Sequence, residues 1–349
     1  MSLPQPGPEI LRRYRPAIIN YLADCLRRWL PSQQGLLRRM IRYHLGFESS
    51  SGQPAGGPEG KLLRPTLLLF SCEAVGGKWR RALPAAGALE LVHDFSLVHD
   101  DIQDQDAQRH HRPTLWSLWG VAQAINAGDA LQALAGLALG DLAEQGIPAS
   151  QLTEAQAILA RATLKLIEGQ VQDLDFEGHL ELKPAGYLEM IAGKTGALFQ
   201  VAFQMGALLG RAEPETIAAL AAGGRHLGLA FQIRDDILGL WGAEDQTGKA
   251  GVSDLARHKL TLPLIYALER AGEAEREALL RFYRAEPETL PSATQIIQIL
   301  DRLAVRQEAR ALMQAETERA LAVWREKLPT DALFPLRELV DSLFGRFTP

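Results

Sequence analysis

Asp100, Asp101 and Asp104 form the pattern DDxxD, and Asp235 and Asp236 open a weaker copy that ends in Gly239. On an α-helix, residues four apart point the same way, so Asp100 and Asp104 can grip the same hard cations. The residues before each cluster, Leu89 to Val98 and Leu227 to Ile233, are mostly apolar. Carboxylates projecting from such helices are costly unless a cation accompanies them. One acidic pair suits a solvated helix face equally well. Two in similar apolar surroundings point instead to a metal–diphosphate site.

Two cationic segments complete the candidate chemistry. In Gly60-Lys61-Leu62-Leu63-Arg64-Pro65, a Gly-rich loop delivers Lys61 and Arg64 to a helix start, where backbone N–H groups and a partial positive charge also favour phosphate. Such cations are as readily solvated surface. Arg109-His110-His111-Arg112-Pro113-Thr114 follows the first acidic cluster closely, as expected if an anion lies between cations and metal-binding carboxylates.

The elements that must hold these residues read as helices. Ala, Leu, Glu, Gln and Arg dominate, β-branched residues are sparse, and apolar positions recur at three- and four-residue steps, which gives an all-α chain. Residues 8–42 read as two amphipathic helices split near Pro31-Ser32, and 47–60 as a mobile Ser/Gly/Pro loop. Helices are then expected over 62–76, 80–106, 115–143, 152–175, 184–208, 213–241, 259–270, 274–282, 293–301, 304–327 and 330–345. No linker or solenoid repeat divides them, so residues 1–349 are expected to form one domain.

Composition removes other classes. The chain has 349 residues, 47% of them hydrophobic, enough for a large core. A net charge of −5 and no basic stripe argue against nucleic acid. Cys25 and Cys72 are the only cysteines and have no metal-ligand spacing, which fits a cytoplasmic protein. No signal pattern or apolar run suited to a bilayer is present, so no stable membrane insertion is expected.

The ordered set GKxxRP, His93, DDxxD, RPT, GKTGALF, FQxxDD, GK, SDL and HKxTLPLIYAL resembles the trans-isoprenyl diphosphate synthases of the polyprenyl synthetase family. The resemblance covers residues 55–270 and leans towards short-chain geranylgeranyl diphosphate synthases. It implies the isoprenoid synthase fold, a helical bundle around a central cavity, and a homodimer. It also implies a Mg²⁺-dependent prenyltransferase, with three ions, that condenses isopentenyl diphosphate with an allylic diphosphate.

By that resemblance Asp100, Asp104 and Asp235 ligate Mg²⁺, with Asp101 and Asp236 as close supports. Lys61, Arg64 and His93 hold isopentenyl diphosphate, although a lone His on an apolar helix is also an ordinary core residue. Arg109, Lys194 and Lys259 contact the allylic diphosphate, and Lys249 closes over it. Thr195 and Gln232 place oxygen atoms near the developing carbocation. Gln170 and Asp173 assist the metal's water shell or simply face solvent. Phe95 and Ser96, five and four residues before Asp100, sit where product length is set and suggest C20, with C15 open.

Two departures stand out. Gly239 occupies a place where many members have Asp, and His110 the place of an Arg that binds isopentenyl diphosphate. Rival readings are a terpene cyclase or head-to-head synthase, which do not need GKxxRP, a non-catalytic regulatory subunit, and an HD-type phosphohydrolase built on His93-Asp94 and His99-Asp100.

Overall fold

A computed structural model describes residues 8–32, 35–58, 60–242, 255, 259–284 and 292–345. Among them, the expected helices form in the expected order. They are α1 (Glu9–Trp29), α2 (Leu36–His44), α3 (Leu63–Ala74), α4 (Leu83–Gln103), α5 (Leu115–Trp119), α6 (Val121–Gly140), α7 (Ala149–Asp175), α8 (Pro184–Ile191), α9 (Ala197–Leu209) and α10 (Pro214–Trp241). After these come α11 (Leu262–Arg270), α12 (Glu273–Tyr283), α13 (Ala293–Arg302), α14 (Val305–Lys327) and α15 (Thr330–Phe344). Pro84, Pro184, Pro214 and Pro263 each stand in a helix's first turn, where the missing N–H has no intrahelical partner to lose.

Four local features differ from the sequence reading. The helix expected over 115–143 breaks at Gly120, whose φ of 82° ends α5 before α6 begins. The stretch expected as one helix over 184–208 carries a π-turn, Ala192–Gly196, between α8 and α9. Residues 108–113 form a small antiparallel hairpin, β1 (Gln108–Arg109) and β2 (Arg112–Pro113), turned by His110 and His111 at φ values of 50° and 60°. The loop over 47–60 is tied back on itself by Ser49 N–H to Gln53 O at 2.8 Å and Ala55 N–H to Phe47 O at 2.9 Å.

The core has two contiguous parts. One joins α1, α3, α4, α6, α7 and α9, and the other joins α8 and α11 to α14. Helix α10 belongs to both, giving Leu220 and Leu227 to the first and Leu229, Ile233 and Ile237 to the second. Between α3 and α10 runs α9, with Phe199, Phe203 and Met205 fully buried. Each such side chain contributes about 1.5–3 kcal/mol from burial. Helix α14 likewise spans both, with Ala320 and Trp324 in the first and Val305, Ala309 and Met313 in the second, so the second acidic cluster is carried by one of the two long helices that join the halves of the core.

Candidate active site

Each acidic cluster stands among cations, which come from four other segments of the chain. Around Asp100 stand Lys194, Asp104, Arg109 and Lys259. Its half-buried place raises its pKa, an effect the three cations oppose and the Asp104 charge reinforces. Asp104 ends α4 as its capping residue. Asp235 has different neighbours, Arg234, Arg64 and Lys61. Although 42% of its side chain is open, enclosure by the cavity raises its pKa to about 6 against the pull of those cations.

The second aspartate of each pair is bound into the protein. Asp101, 3% exposed, accepts a hydrogen bond at 2.7 Å from Arg109 Nε on the hairpin. Asp236, also 3% exposed, accepts from Tyr187 Oη at 2.7 Å, Leu262 N–H at 3.2 Å and Gln232 Nε2 at 3.1 Å. Thr195 Oγ1 donates to Gln232 Oε1 at 2.6 Å and extends this chain into the cavity.

The π-turn sets the place of Lys194 and Thr195. Its wider loop pushes both residues off the regular helical stripe, a common device at functional sites. It packs on α7 at Gly169, where a Cβ would lie 2.2 Å from the Lys194 backbone nitrogen, so only glycine permits the approach. Lys194 Nζ then reaches Asp173 Oδ2 at 2.5 Å, and Lys259 Nζ lies 3.8 Å from the same oxygen. Burial raises the Asp173 pKa, but the two ammonium groups outweigh it and the net shift is downward. Gln170, one turn earlier, donates to Gln103 Oε1 at 2.8 Å. Asp104, Asp173, Lys259, Phe176, Tyr187 and Met190 line a cleft of about 370 Å³.

The second anion-binding candidate lies beside Asp235. Leu62, buried at φ 49°, turns the chain sharply between Lys61 and Arg64 and costs on the order of 1 kcal/mol. Arg64 enters the interior, where Nη1 meets His93 Nε2 at 3.0 Å and the guanidinium stacks 5.0 Å from the Phe199 ring. Burial, reinforced by Arg64, Arg109, His44 and His110, pushes the His93 pKa well below 6.5, so His93 is a neutral partner of Arg64. His110 is exposed at the hairpin turn and still acts on His93. Below the first acidic cluster, Phe95 is buried edge-on to His99 at 5.0 Å, and Ser96 Oγ donates to His93 O at 2.7 Å. Lys249 lies outside the described residues.

Do these residues fit divalent metal? Among the described residues no three His, Cys, Asp or Glu side chains converge on one point. Asp100, Asp104 and Asp235 are nonetheless free of the buried ties that hold Asp101 and Asp236; Asp235 has only Arg234 on its own helix, at 3.1 Å, and Asp104 crowds Asp100, a repulsion that a divalent cation would relieve. Mg²⁺ retains waters and shares its shell with phosphates, so a few carboxylates suffice. The donor set fits a metal held jointly with a diphosphate.

Sequence reasoning missed Tyr187. Tyr187 and Leu262 meet Asp236 across 49 and 26 residues, which no local pattern encodes.

Residues 53–300 match the family described as polyprenyl synthetase. The chain is 42% identical over 282 residues to a geranylgeranyl diphosphate synthase of Mycobacterium tuberculosis, covering 80% of this chain and 77% of that one. It is 39% identical over 277 residues to the same organism's (2E,6E)-farnesyl diphosphate synthase, covering 78% and 76%. The fold matches a crystal structure of polyprenyl synthetase from Streptomyces coelicolor at a TM-score of 0.86 and 35% identity, covering 96% of this chain and 98% of that one.

Proposed function

The chain belongs to the polyprenyl synthetase family and is a trans-prenyltransferase, and from that premise we propose how its cavity joins isopentenyl diphosphate head-to-tail to an allylic diphosphate. One observation carries the reading. The acidic clusters and the two cation sets interleave, with Asp100 among Lys194, Arg109 and Lys259, and Asp235 among Lys61 and Arg64. That arrangement provides places for two diphosphates in one cavity.

Lys194, Lys259 and Arg109 bind the allylic diphosphate and take up its charge as the carbon–oxygen bond breaks. Asp100, Asp104 and Asp235, supported by Asp101 and Asp236, would hold Mg²⁺, which would supply charge neutralisation for the leaving pyrophosphate. The Thr195 and Gln232 oxygens, fixed by their mutual hydrogen bond, direct negative dipoles at the allylic carbon. Lys61, Arg64 and His93 hold isopentenyl diphosphate so that its alkene forms the new carbon–carbon bond. The proton released from the new chain passes to pyrophosphate, so no side-chain base is required.

Phe95 supports C20 as the product, and its truncation to Ala should lengthen the products. An apolar stripe supports a homodimer. Leu164 and Val171 on α7 are 57% and 60% exposed, and Val121 and Ile125 on α6 are 47% and 43% exposed. A single domain is supported by α10, which contributes to both parts of the core. Among the described residues no helix is long and apolar enough to cross a membrane. A cytoplasmic location agrees with the two free buried cysteines.

The decisive experiment is incubation with Mg²⁺, isopentenyl diphosphate and each of the C5, C10 and C15 allylic diphosphates, followed by mass analysis. A dominant C20 product is expected. No elongation from any starter would overturn the reading and favour a cyclase or regulatory subunit.

A further inference from the structure

The hairpin that carries Arg109 has a turn its own residues support poorly. Arg109 on β1 pairs directly with Arg112 on β2, and His110 and His111 form the two-residue loop between them. Both loop residues have positive φ, 50° and 60°. Such loops favour Asn-Gly or Gly-Gly, because a Cβ crowds the left-handed backbone. Each strand has only two residues, and a short two-stranded ribbon is marginal in water by itself. The hairpin therefore depends on contacts with the rest of the fold.

Those contacts fall at its two ends. At the base, Thr114 N–H donates to Ala107 O at 3.0 Å, and Thr114 Oγ1 and Trp116 Nε1 both donate to Asp106 O at 2.8 Å. Nearer the turn, Tyr43 on α2 grips β2 in three ways. Its Oη donates to Pro113 O at 2.7 Å, Arg112 Nη2 donates to Tyr43 O at 2.8 Å, and the Arg112 guanidinium sits 4.4 Å over the Tyr43 ring. Tyr43 is itself a fixed support, 4% exposed and edge-on to Trp119 of α5 at 5.4 Å.

The two paired arginines thus have different tasks. Arg112 is committed to Tyr43 and the backbone around it, whereas Arg109 donates from Nε to Asp101 Oδ1 at 2.7 Å and keeps 27% of its side chain open. Among the described residues Asp101 is the one hydrogen-bond partner of the Arg109 side chain. One bond fixes an arginine's place loosely, and a guanidinium that must meet a diphosphate needs its backbone held as well. Through the Arg109–Arg112 pairing, the grip of Tyr43 on β2 supplies that hold.

We propose that Tyr43 is a positioning residue for the allylic diphosphate site, clamping β2 so that Arg109 stays beside Asp101 despite a turn made of two histidines. The proposal rests on the reading that Arg109 binds the allylic diphosphate. It carries a specific consequence: glycine in the turn, at His111, makes the clamp largely dispensable, because the loop then favours its own conformation.

The test uses the full chain, with kcat/KM for the allylic diphosphate measured at saturating Mg²⁺ and isopentenyl diphosphate. Tyr43→Ala should lower it about tenfold, and Tyr43→Phe, which keeps the ring and loses the bond to Pro113, about threefold. His111→Gly alone should stay within about twofold of wild type, and in the Tyr43→Ala background it should recover most of the loss. In the Arg109→Ala background Tyr43→Ala should cause no further loss. Arg109→Ala also separates the two levels. If it leaves kcat/KM unchanged, the site reading itself fails. If it lowers kcat/KM and Tyr43→Ala does not, only the role of Tyr43 fails. A Tyr43→Ala loss that persists undiminished with His111→Gly, or with Arg109→Ala, marks a general structural role and overturns the proposal. Should Tyr43→Ala not fold, Tyr43→Phe with and without His111→Gly decides, and no loss, or an equal loss in both backgrounds, sinks it.

Discussion

The acidic clusters of α4 and α10 begin alike and end differently. In each, the first aspartate is half-buried with a raised pKa, while the second is 3% exposed and committed to protein partners. Asp101 is tied to one residue, Arg109, eight positions along the chain. Asp236 instead joins three elements, through Tyr187 before the π-turn, Gln232 on its own helix and the Leu262 amide at the start of α11. An Asp-Asp pair thus divides its labour, one carboxylate for ligand and one for framework. The α4 pair couples to a short hairpin, and the α10 pair fastens the bundle together. The third position also differs, since Asp104 has only Gly239 as its counterpart.

The strongest challenge to this division is Asp100→Ala. If the first aspartates serve the metal, turnover with saturating Mg²⁺ should fall by about 10³-fold, in the range expected for loss of a preorganised charge-stabilising group. Folding should be unaffected or slightly improved, because a crowded carboxylate is removed. Turnover near wild type would contradict the site assignment.

The opposite profile is expected at Asp236. Asp236→Ala leaves the Tyr187 hydroxyl and the Leu262 amide without their acceptor, and the loss should be about 3 kcal/mol in urea unfolding. Tyr187→Phe removes one arm and should cost about 1 kcal/mol. Equal stability losses for Asp101→Ala and Asp236→Ala would erase the distinction between a local tie and a framework tie.

How much of this was legible beforehand depends on the range over which each feature is encoded. The i, i+4 geometry of Asp100 and Asp104 and the apolar stripes around them are local, so helices and candidate ligands could be read directly. The π-turn at Ala192–Gly196 was not, because one extra residue in a turn leaves composition and local periodicity nearly unchanged. The hairpin at residues 108–113 was hidden because His-His is an unusual pair for a turn with two positive φ values. Gly120 divides α5 from α6 by a backbone conformation that its neighbours do not announce. The partners of Asp236, and the meeting of His44 with Asp94 across 50 residues, depend on the assembled fold. The sequence also could not show that Asp101 and Asp236 turn inward while their neighbours face the cavity.

Acid sharpens the comparison within the cavity. Asp235 has a folded-state pKa of about 6, above the ordinary 3.8, so the folded chain holds a proton more tightly than the unfolded one. Its contribution to metal-free stability is therefore fully present below the ordinary value and is lost as pH rises through about 6. Metal binding needs the carboxylate and runs the other way. Between pH 7 and pH 5 the apparent affinity for Mg²⁺ should weaken about tenfold. The rise in melting temperature caused by Mg²⁺ should shrink over the same interval. Asp235→Asn should flatten both trends. A wild-type Mg²⁺ response independent of pH would remove Asp235 from the metal site.

The smallest effect is expected from supplying the carboxylate that α10 lacks. Gly239 is half-buried one turn after Asp235, and α10 continues through it to Trp241, so a side chain there projects from the same face as Asp235. Gly239→Asp should stabilise the helix by a few tenths of a kcal/mol, since Gly is the poorer helix former. It should also lower the Mg²⁺ concentration needed for half-maximal rate by about threefold, with kcat little changed, if the missing residue acts on the metal through water. A rise in kcat instead would mean that α10, as it stands, limits the chemical step. A rise in the Mg²⁺ requirement would show that a third carboxylate crowds Asp235 rather than helping it, and that the asymmetry between the helices suits the charge already enclosed there.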